Sequence, residues 1–193
     1  MLFPFQTVVM NRILILVFVP LFLSCSHDYN SNALDLSFYQ WNLWTDAEAG
    51  WSDEAEMEVH PPSCGWDVLH RGNGRLVRIP ASVGEHFPTD YAGVVWFHAR
   101  FTLPEVWAGT SITLAFEEIT GTAEVYLNEQ LVGHQPESMS PFSLDLTGEI
   151  YYTRDNHLSV RVTDPDPGSA GITGKIVLKS SPTGDKSHDS PAS

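Results

Sequence analysis

The chain is short of basic side chains, of cysteine and of long apolar stretches. Its 193 residues include 10 Lys and Arg against 24 Asp and Glu, for a formal net charge of -14. Such a surface repels phosphate backbones, so nucleic-acid binding is disfavoured. Two cysteines exclude a disulfide-dense scaffold. The apolar run at residues 13–23 is too short to cross a bilayer as a helix.

Motifs of metal and cofactor chemistry are missing as well. The eight His show no HExxH or CxxC spacing, so a zinc site has little support. Asp164-Pro165-Asp166-Pro167 offers two carboxylates, whereas calcium prefers about six to eight oxygen ligands. A solvated turn is therefore the favoured interpretation, structural calcium keeps weak support, and no cofactor is expected. Cys64 is interpreted as a small buried hydrophobe rather than a nucleophile.

The N-terminal segment is typical of a bacterial export signal. Its apolar run ends in Leu21-Phe22-Leu23-Ser24-Cys25, which resembles a lipobox, in which the Cys is lipidated and becomes the mature N-terminus. A translation start at Met10 instead of Met1 gives a cleaner signal. We predict a lipoprotein signal peptide at residues 1–24 and a membrane anchor at Cys25. An ordinary secreted protein with a nearby cleavage site is the alternative.

The remaining chain has the composition of a globular β-protein. It is 42% hydrophobic and 11% aromatic, with 14 Gly and 13 Pro. This mix excludes global disorder and favours short strands joined by turns. Residues 25–33 are predicted to form a tether, residues 34–179 a sandwich domain, and residues 180–193 a disordered tail.

Hydrophobic alternation predicts the fold class. In residues 94–103 the side chains of Val95, Phe97, Ala99, Phe101 and Leu103 would share one face. Similar short alternating segments are residues 110–118, 123–128 and 156–163, followed by a last strand from Ile172 to Leu178. The pattern predicts an all-β, antiparallel β-sandwich with one apolar face per sheet. The chain from Leu36 to Ile79 is less regular, but its Trp residues and residues 75–79 suggest more strands.

A series of short motifs extends over about ninety residues. They include Tyr91-Ala92-Gly93-Val94-Val95-Trp96-Phe97, Ala123-Glu124-Val125-Tyr126-Leu127-Asn128, Ser140-Pro141-Phe142 and Asn156-His157-Leu158-Ser159-Val160-Arg161-Val162. In order and spacing the series resembles the N-terminal sugar-binding domain of glycoside hydrolase family 2, which contains β-galactosidases, β-glucuronidases and β-mannosidases. The resemblance implies a jelly roll of the galactose-binding-like type, with carbohydrate recognition as its inherited role.

Two features depart from the family pattern. The family usually has Asn-Gly at the hairpin where this chain has Asn128-Glu129, so we predict a different turn there. The loop at residues 134–139 also differs, and family contacts made by it are not carried over.

The family's catalytic glutamates lie on a separate barrel of roughly 250 residues. Removal of 24 signal residues from 193 leaves 169, so we expect a non-catalytic sandwich that stands alone. Two alternatives remain open: a protein-interaction module of an envelope complex that has lost sugar binding, and a truncated hydrolase remnant.

Two groups of side chains are candidates for carbohydrate contact. The first, on the outward side of residues 94–103, is Trp96, His98 and Arg100, where an indole beside hydrogen-bond donors suits a sugar ring. The favoured alternative is that the first half of the chain covers these residues, with Arg100 or Arg161 paired to Glu124 or Glu117.

The second group is predicted to lie on a polar loop at the rim of the sandwich. Trp66 of this group fills the end of the core in the alternative interpretation. The members of the group are Trp66, Asp67, His70 and Arg71.

Overall fold

The computed structural model describes residues 32–49, 59–87, 91–136, 141–164, 166 and 168–183. One helix, α1, spans Trp66–His70, and none of the helices in these residues is long and apolar enough to cross a membrane. The strands in chain order are β1 Ala33–Asp35, β2 Trp41–Asp46, β3 Arg75–Val77, β4 Ala81–Ser82, β5 Gly93–Phe101, β6 Ser111–Phe116, β7 Thr122–Leu127, β8 Gln130–Gln135, β9 Phe142–Asp145, β10 Asn156–Asp164, β11 Gly171–Ile172 and β12 Ile176–Ser181. Short 3₁₀ turns lie at Leu36–Phe38, Val83–Glu85 and Glu105–Trp107.

The strands form two main antiparallel sheets. The six-stranded sheet has the order β3-β2-β5-β10-β7-β8, and the four-stranded sheet has the order β1-β12-β6-β9. Strands β4 and β11 pair separately as a small ribbon. This arrangement confirms the predicted all-β sandwich.

The two sheets enclose the main core through the predicted alternating residues. Val95 and Phe97 of β5 are fully buried, as are Ile112 and Leu114 of β6 on the opposing sheet. Burial of each such side chain stabilises the fold by about 1.5–3 kcal/mol. The inward faces predicted from alternation are therefore confirmed.

The C-terminal strand differs from its prediction. The chain from Ile172 to Leu178 forms two strands instead of one, because it changes sheets between β11 and β12. Gly174 lies at this crossing, where a Cβ would stand 2.5 Å from the Glu118 nitrogen. The strands also extend past the predicted domain limits, since β1 begins at Ala33 and β12 ends at Ser181.

The β7–β8 hairpin corrects another prediction. Leu127 pairs with Gln130, so the loop has the two residues Asn128 and Glu129, with φ values of 52° and 74°. The turn therefore keeps the left-handed geometry that suits Asn-Gly, although Gly is replaced by Glu. Hydrogen bonds help to hold this turn, because Asn128 N donates to the His157 carbonyl at 2.9 Å and Asn128 Oδ1 accepts from His157 N at 3.0 Å.

The predicted polar loop around Trp66 is also corrected. Residues Trp66–His70 form the helix α1, which packs on the six-stranded sheet instead of marking the end of the sandwich. The change of direction before the helix occurs at Gly65, whose φ is 83°.

Candidate functional site

The six-stranded sheet is covered on the side that faces away from the other sheet. Leu69 of α1 packs with Val94, Trp96 and Tyr126 in a second cluster of buried residues, separate from the main core. We call residues 60–74, together with the sheet side chains beneath them, the outer layer. Trp96 and His98 of β5 are therefore buried, as the favoured alternative anticipated. Arg100 of the same group is exposed instead, and its partner is Asp155.

A buried carboxylate joins the covering segment to the sheet. Asp46, at the end of β2, accepts a 3.0 Å hydrogen bond from Trp96 Nε1 and another 3.0 Å bond from the backbone nitrogen of Ser63. The Ser63 hydroxyl also donates to Asp46. Trp96 is fully buried in this arrangement and presents no ring face to solvent.

A second buried carboxylate binds several side chains in the neighbouring part of the outer layer. Glu124 accepts from Arg161 Nη1 at 3.1 Å, from the Tyr126 hydroxyl at 2.5 Å, and lies 2.9 Å from His60 Nδ1. Burial, followed by the bond to Glu124, raises the pKa of Tyr126 above its ordinary value. The Arg161–Glu124 pairing is one of those considered in the covered interpretation of the sequence.

Trp66 uses much of its ring to attach α1 to the sheet. Its centroid lies 5.5 Å from that of Trp96, edge to face, and 5.2 Å from that of Tyr126. The side chain remains half-buried, whereas Asp67 and Arg71 beside it are exposed. Cys64 packs against the same cluster, and burial, followed by the nearby Asp46, raises the pKa of its thiol. A raised pKa keeps the thiol protonated at neutral pH, which agrees with an unreactive cysteine.

Three histidines meet at the edge of the outer layer, and we call His70, His98 and His157 the histidine cluster. The ring centroids of His70 and His157 are 4.1 Å apart, and those of His70 and His98 are 5.0 Å apart, with nearly parallel planes. His98 Nε2 lies 3.1 Å from His157 Nδ1. The cluster unites members of both predicted groups with His157, which was missed by the sequence analysis.

The pairing of β5 with β10 is what places His157 in the cluster. His157 pairs with Arg100 across the β5–β10 ladder, and His98 pairs with Ser159. His157 and His98 are therefore diagonal neighbours on one face. The sequence alone shows neither this register nor the position of His70 above it.

Burial sets the charge state of the histidine cluster. Desolvation, followed by the charges of the other two histidines and Arg100, lowers the pKa of His98 to about 3. Desolvation and then His157 lower the pKa of His70 to about 4, and desolvation and then Arg100 lower that of His157. The three rings are thus neutral at pH 7.

Arg100 lies at the exposed end of this arrangement. Its Nε is 3.4 Å from Asp155 Oδ2, and both side chains are largely exposed.

A cavity beside α1, lined in part by Asn42, Trp44 and Cys64, has about 10 Å³ of space for the centre of a water molecule. That cavity holds about one water and is too small for a sugar ring.

Two predicted sites lie outside the described residues. Cys25 belongs to residues 1–31, and the Asp164-Pro165-Asp166-Pro167 turn is described only in part.

The fold and the matched residues define the class of this protein. The family model for "Glycosyl hydrolases family 2, sugar binding domain" matches residues 42–174, which is more than half of the chain. The chain belongs to this family, as its motifs predicted.

Several relatives match part of the chain. A β-glucuronidase of Formosa agariphila is 31% identical over 85 residues, covering 43% of this chain and 9% of that protein. A β-galactosidase of Thermoanaerobacter pseudethanolicus is 32% identical over 74 residues, covering 38% of this chain and 10% of that protein. The matched stretch is thus about a tenth of the length of these curated relatives.

Solved structures share the fold. Faecalibacterium prausnitzii β-glucuronidase aligns with a TM-score of 0.58 and 20% identity, over 78% of this chain and 32% of the other. A glycosyl hydrolase family 2 member from Bacteroides cellulosilyticus aligns with a TM-score of 0.60 and 19% identity, over 79% of this chain and 21% of the other. The similarity is therefore to one domain of larger hydrolases.

Proposed function

We propose that this chain is a carbohydrate-recognition module of an exported, lipid-anchored protein. The proposal is carried by one observation, the match of residues 42–174 to the sugar-binding domain family. Its acidic surface, with a formal net charge of -14, favours a neutral or cationic glycan over a polyanionic one.

The accessible rim of the outer layer is the proposed contact surface. Asp67 and Arg71 are exposed beside the half-buried Trp66, and His70 stacks on His157, which pairs with Arg100. This rim combines an indole with a carboxylate and guanidinium donors, which suits a ring with one apolar face and hydroxyl edges. Trp96 and His98 lie beneath it, where they support the rim through packing.

Glycan-array binding of the purified chain tests this function. Asp67→Ala and Arg71→Ala should each weaken binding at least severalfold, because both side chains are exposed on the proposed contact surface. Both variants should keep the melting temperature, since exposed substitutions usually change stability by less than about 0.5 kcal/mol. Matched controls are Glu105→Ala and Lys179→Ala, which are exposed outside the outer layer.

The competing functions predict different results in these experiments. Failure of the wild-type chain to bind any glycan, with a protein partner co-purifying from membranes, would favour a docking module. Glycan binding by the rim variants that is as strong as binding by the control variants would place the sugar site elsewhere on the sandwich.

Lipid anchoring at Cys25 is the part of the proposal that concerns localisation. Its support is the lipobox-like sequence that ends at Cys25. Mass spectrometry of the membrane fraction should find acyl chains on this residue, and Cys25→Ser should release the protein to the soluble fraction. Cys64→Ser is the matched control and should remain with the membrane; an unmodified Cys25 would refute the anchor.

We propose that the chain does not hydrolyse glycosides. The support is that the family match covers the sugar-binding domain. Hydrolysis by the two-carboxylate route needs a pair of carboxyl groups across a substrate cleft. Aryl β-glycosides should therefore show no turnover with the purified chain, and activity that follows the protein through purification would contradict this.

A further inference from the structure

The histidine cluster has a composition and position that its structural contacts do not account for. Its members come from three separated parts of the chain: His70 ends α1, His98 lies in β5 and His157 lies in β10. One ring nitrogen from each histidine lies within 4.8 Å of the corresponding nitrogens of the other two. Three imidazoles on separate segments thus present nitrogen atoms to a common volume.

Two nitrogens of this cluster are buried without a partner. Among the described residues, neither His98 Nδ1 nor His70 Nε2 has a hydrogen bond, although both atoms are inaccessible to solvent. His98 is only 2% exposed. Buried polar atoms nearly always have a hydrogen-bond partner, and an unsatisfied one destabilises the fold. His98 Nε2 already faces His157 Nδ1, so an ion bound between these two rings would leave His98 Nδ1 unpaired. The unpaired nitrogen that is open to a common ligand is His70 Nε2.

A strained residue lies next to these histidines. Glu129 has a φ of 74°, a left-handed conformation that disfavours residues with a Cβ. Its Oε1 lies 3.7 Å from His70 Nδ1, beyond ordinary hydrogen-bonding distance. The adjacent Asn128 is hydrogen-bonded to the His157 backbone, so the turn that carries the carboxylate is attached to the cluster.

We propose that His70, His98 and His157 bind a late first-row divalent metal ion of the Zn²⁺ class, with Glu129 as an oxygen ligand at the rim. Imidazole nitrogen suits zinc, copper, nickel and cobalt, whereas calcium and magnesium prefer oxygen ligands. A set of three imidazoles and one carboxylate fits the four-coordinate geometry that zinc adopts in proteins.

The distances require only a local adjustment. Zinc binds imidazole nitrogen at about 2.0–2.1 Å, so tetrahedral ligand atoms lie roughly 3.3 Å apart. The His98 Nε2 to His157 Nδ1 distance is already 3.1 Å, where the two rings share a hydrogen bond whose proton the ion would displace. His70 belongs to the covering segment, and Glu129 is about half exposed, so we expect rotation of these two side chains to bring them to ligand distance.

Metal binding to the cluster should depend on pH, because metals bind the neutral imidazole and protons compete for the same lone pairs. A bound ion would join α1 to β5 and β10, and would therefore hold the covering segment on the sheet.

Isothermal titration of the full chain, purified without a polyhistidine tag, tests the site. Zn²⁺ should bind with one ion per chain and should raise the melting temperature, whereas Mg²⁺ and Ca²⁺ should do neither. His70→Gln and His157→Gln should each weaken zinc binding at least tenfold. His134→Gln, an exposed histidine of β8, and Cys64→Ser are matched controls that should bind like the wild type.

Two results would overturn the proposal: the absence of stoichiometric zinc binding to the wild type, or retention of wild-type affinity in both cluster variants. The first result is measured on the wild type, so it does not depend on whether the variants fold. Co²⁺ should produce the intense visible bands of a four-coordinate ion, and Zn²⁺ should shift three histidine imidazole signals in NMR spectra. Weak bands of octahedral aqueous cobalt, or shifts confined to histidines outside the cluster, would refute the site.

Discussion

The central strands of the six-stranded sheet bury side chains on both faces, but through different interactions. On the inner face, Val95 and Phe97 of β5 pack against apolar side chains of the opposing sheet. On the outer face of the same strand, Trp96 and His98 lie beneath a short covering segment, among carboxylates, hydroxyls and other imidazoles. Apolar burial is non-directional, whereas a buried polar network stabilises only when its members find partners. Folding stability should therefore be most sensitive to loss of side-chain volume on the inner face. On the outer face it should be most sensitive to loss of a hydrogen-bond or ion-pair partner.

Truncation of the inner face should have the largest effect. Phe97→Ala should lower the free energy of unfolding by about 3–5 kcal/mol, because the residue is fully buried and leaves a cavity. Urea denaturation followed by circular dichroism measures the change. Phe38→Ala is the matched control, since Phe38 is 76% exposed and should cost little. Equal losses in the two variants would contradict the assigned core.

Removal of one partner should have the largest effect on the outer face. Arg161→Met should cost about 3 kcal/mol, because it deprives the buried Glu124 of its cation. The double variant Glu124→Gln/Arg161→Met should recover much of that loss, since no unpaired charge remains. Urea denaturation of the two single variants and the double variant measures the coupling. Additive losses would show that the pair does not act as a unit.

Acid should weaken the outer face in the metal-free protein. The folded-state pKa values of His70 and His98, about 4 and about 3, lie below the ordinary value of 6.5. The folded state therefore binds fewer protons than the unfolded chain, and this contribution to stability is complete above pH 6.5 and falls toward pH 4 and 3.

We expect the wild type to lose about 1 kcal/mol more stability than His70→Gln between pH 7 and pH 5, after allowance for solvent screening at His70. Denaturation in the presence of a chelator measures the difference, with His134→Gln as the control at an exposed position. An equal pH dependence in wild type and His70→Gln would contradict the inferred neutral cluster.

The smallest effect concerns the β7–β8 turn. Glu129→Gly should stabilise the metal-free protein by about 0.5–1 kcal/mol, because Gly adopts the left-handed conformation without steric cost. Asn128→Gly is the matched control and should destabilise, since it removes the side-chain bond to His157 N. Thermal unfolding with a chelator separates the two. A loss of stability in Glu129→Gly would indicate that its carboxylate already has a structural partner.

The inner face was predictable from sequence because its apolar residues recur at every second position along each strand. Alternating apolar residues in β5, β6, β7 and β10 identify the side that meets the opposing sheet. The same alternation does not show what covers the outer face, because a period of two places the remaining side chains outward whether or not another segment lies over them. Trp96 and His98 are buried, as the favoured interpretation of the sequence expected, since residues distant in sequence lie over them.

The outer layer was less predictable because its contacts are non-local. Helix α1 has five residues, too few for a helical period to be visible in the sequence. Its position depends on Trp66 and Leu69 packing against strands that follow much later in the chain. The histidine cluster depends further on the β5–β10 register. The Asn128-Glu129 turn failed as a prediction because the surrounding strands impose its geometry on a residue that disfavours it.

The contact between Trp66 and Trp96 gives the protein an internal optical reporter. One indole belongs to the covering segment and the other to the sheet, and their centroids are 5.5 Å apart. A one-turn helix has little stability on its own, so α1 keeps its shape only while it is docked. Lifting of the segment would admit water to both rings, and a red shift of tryptophan emission would reveal that opening without any added label.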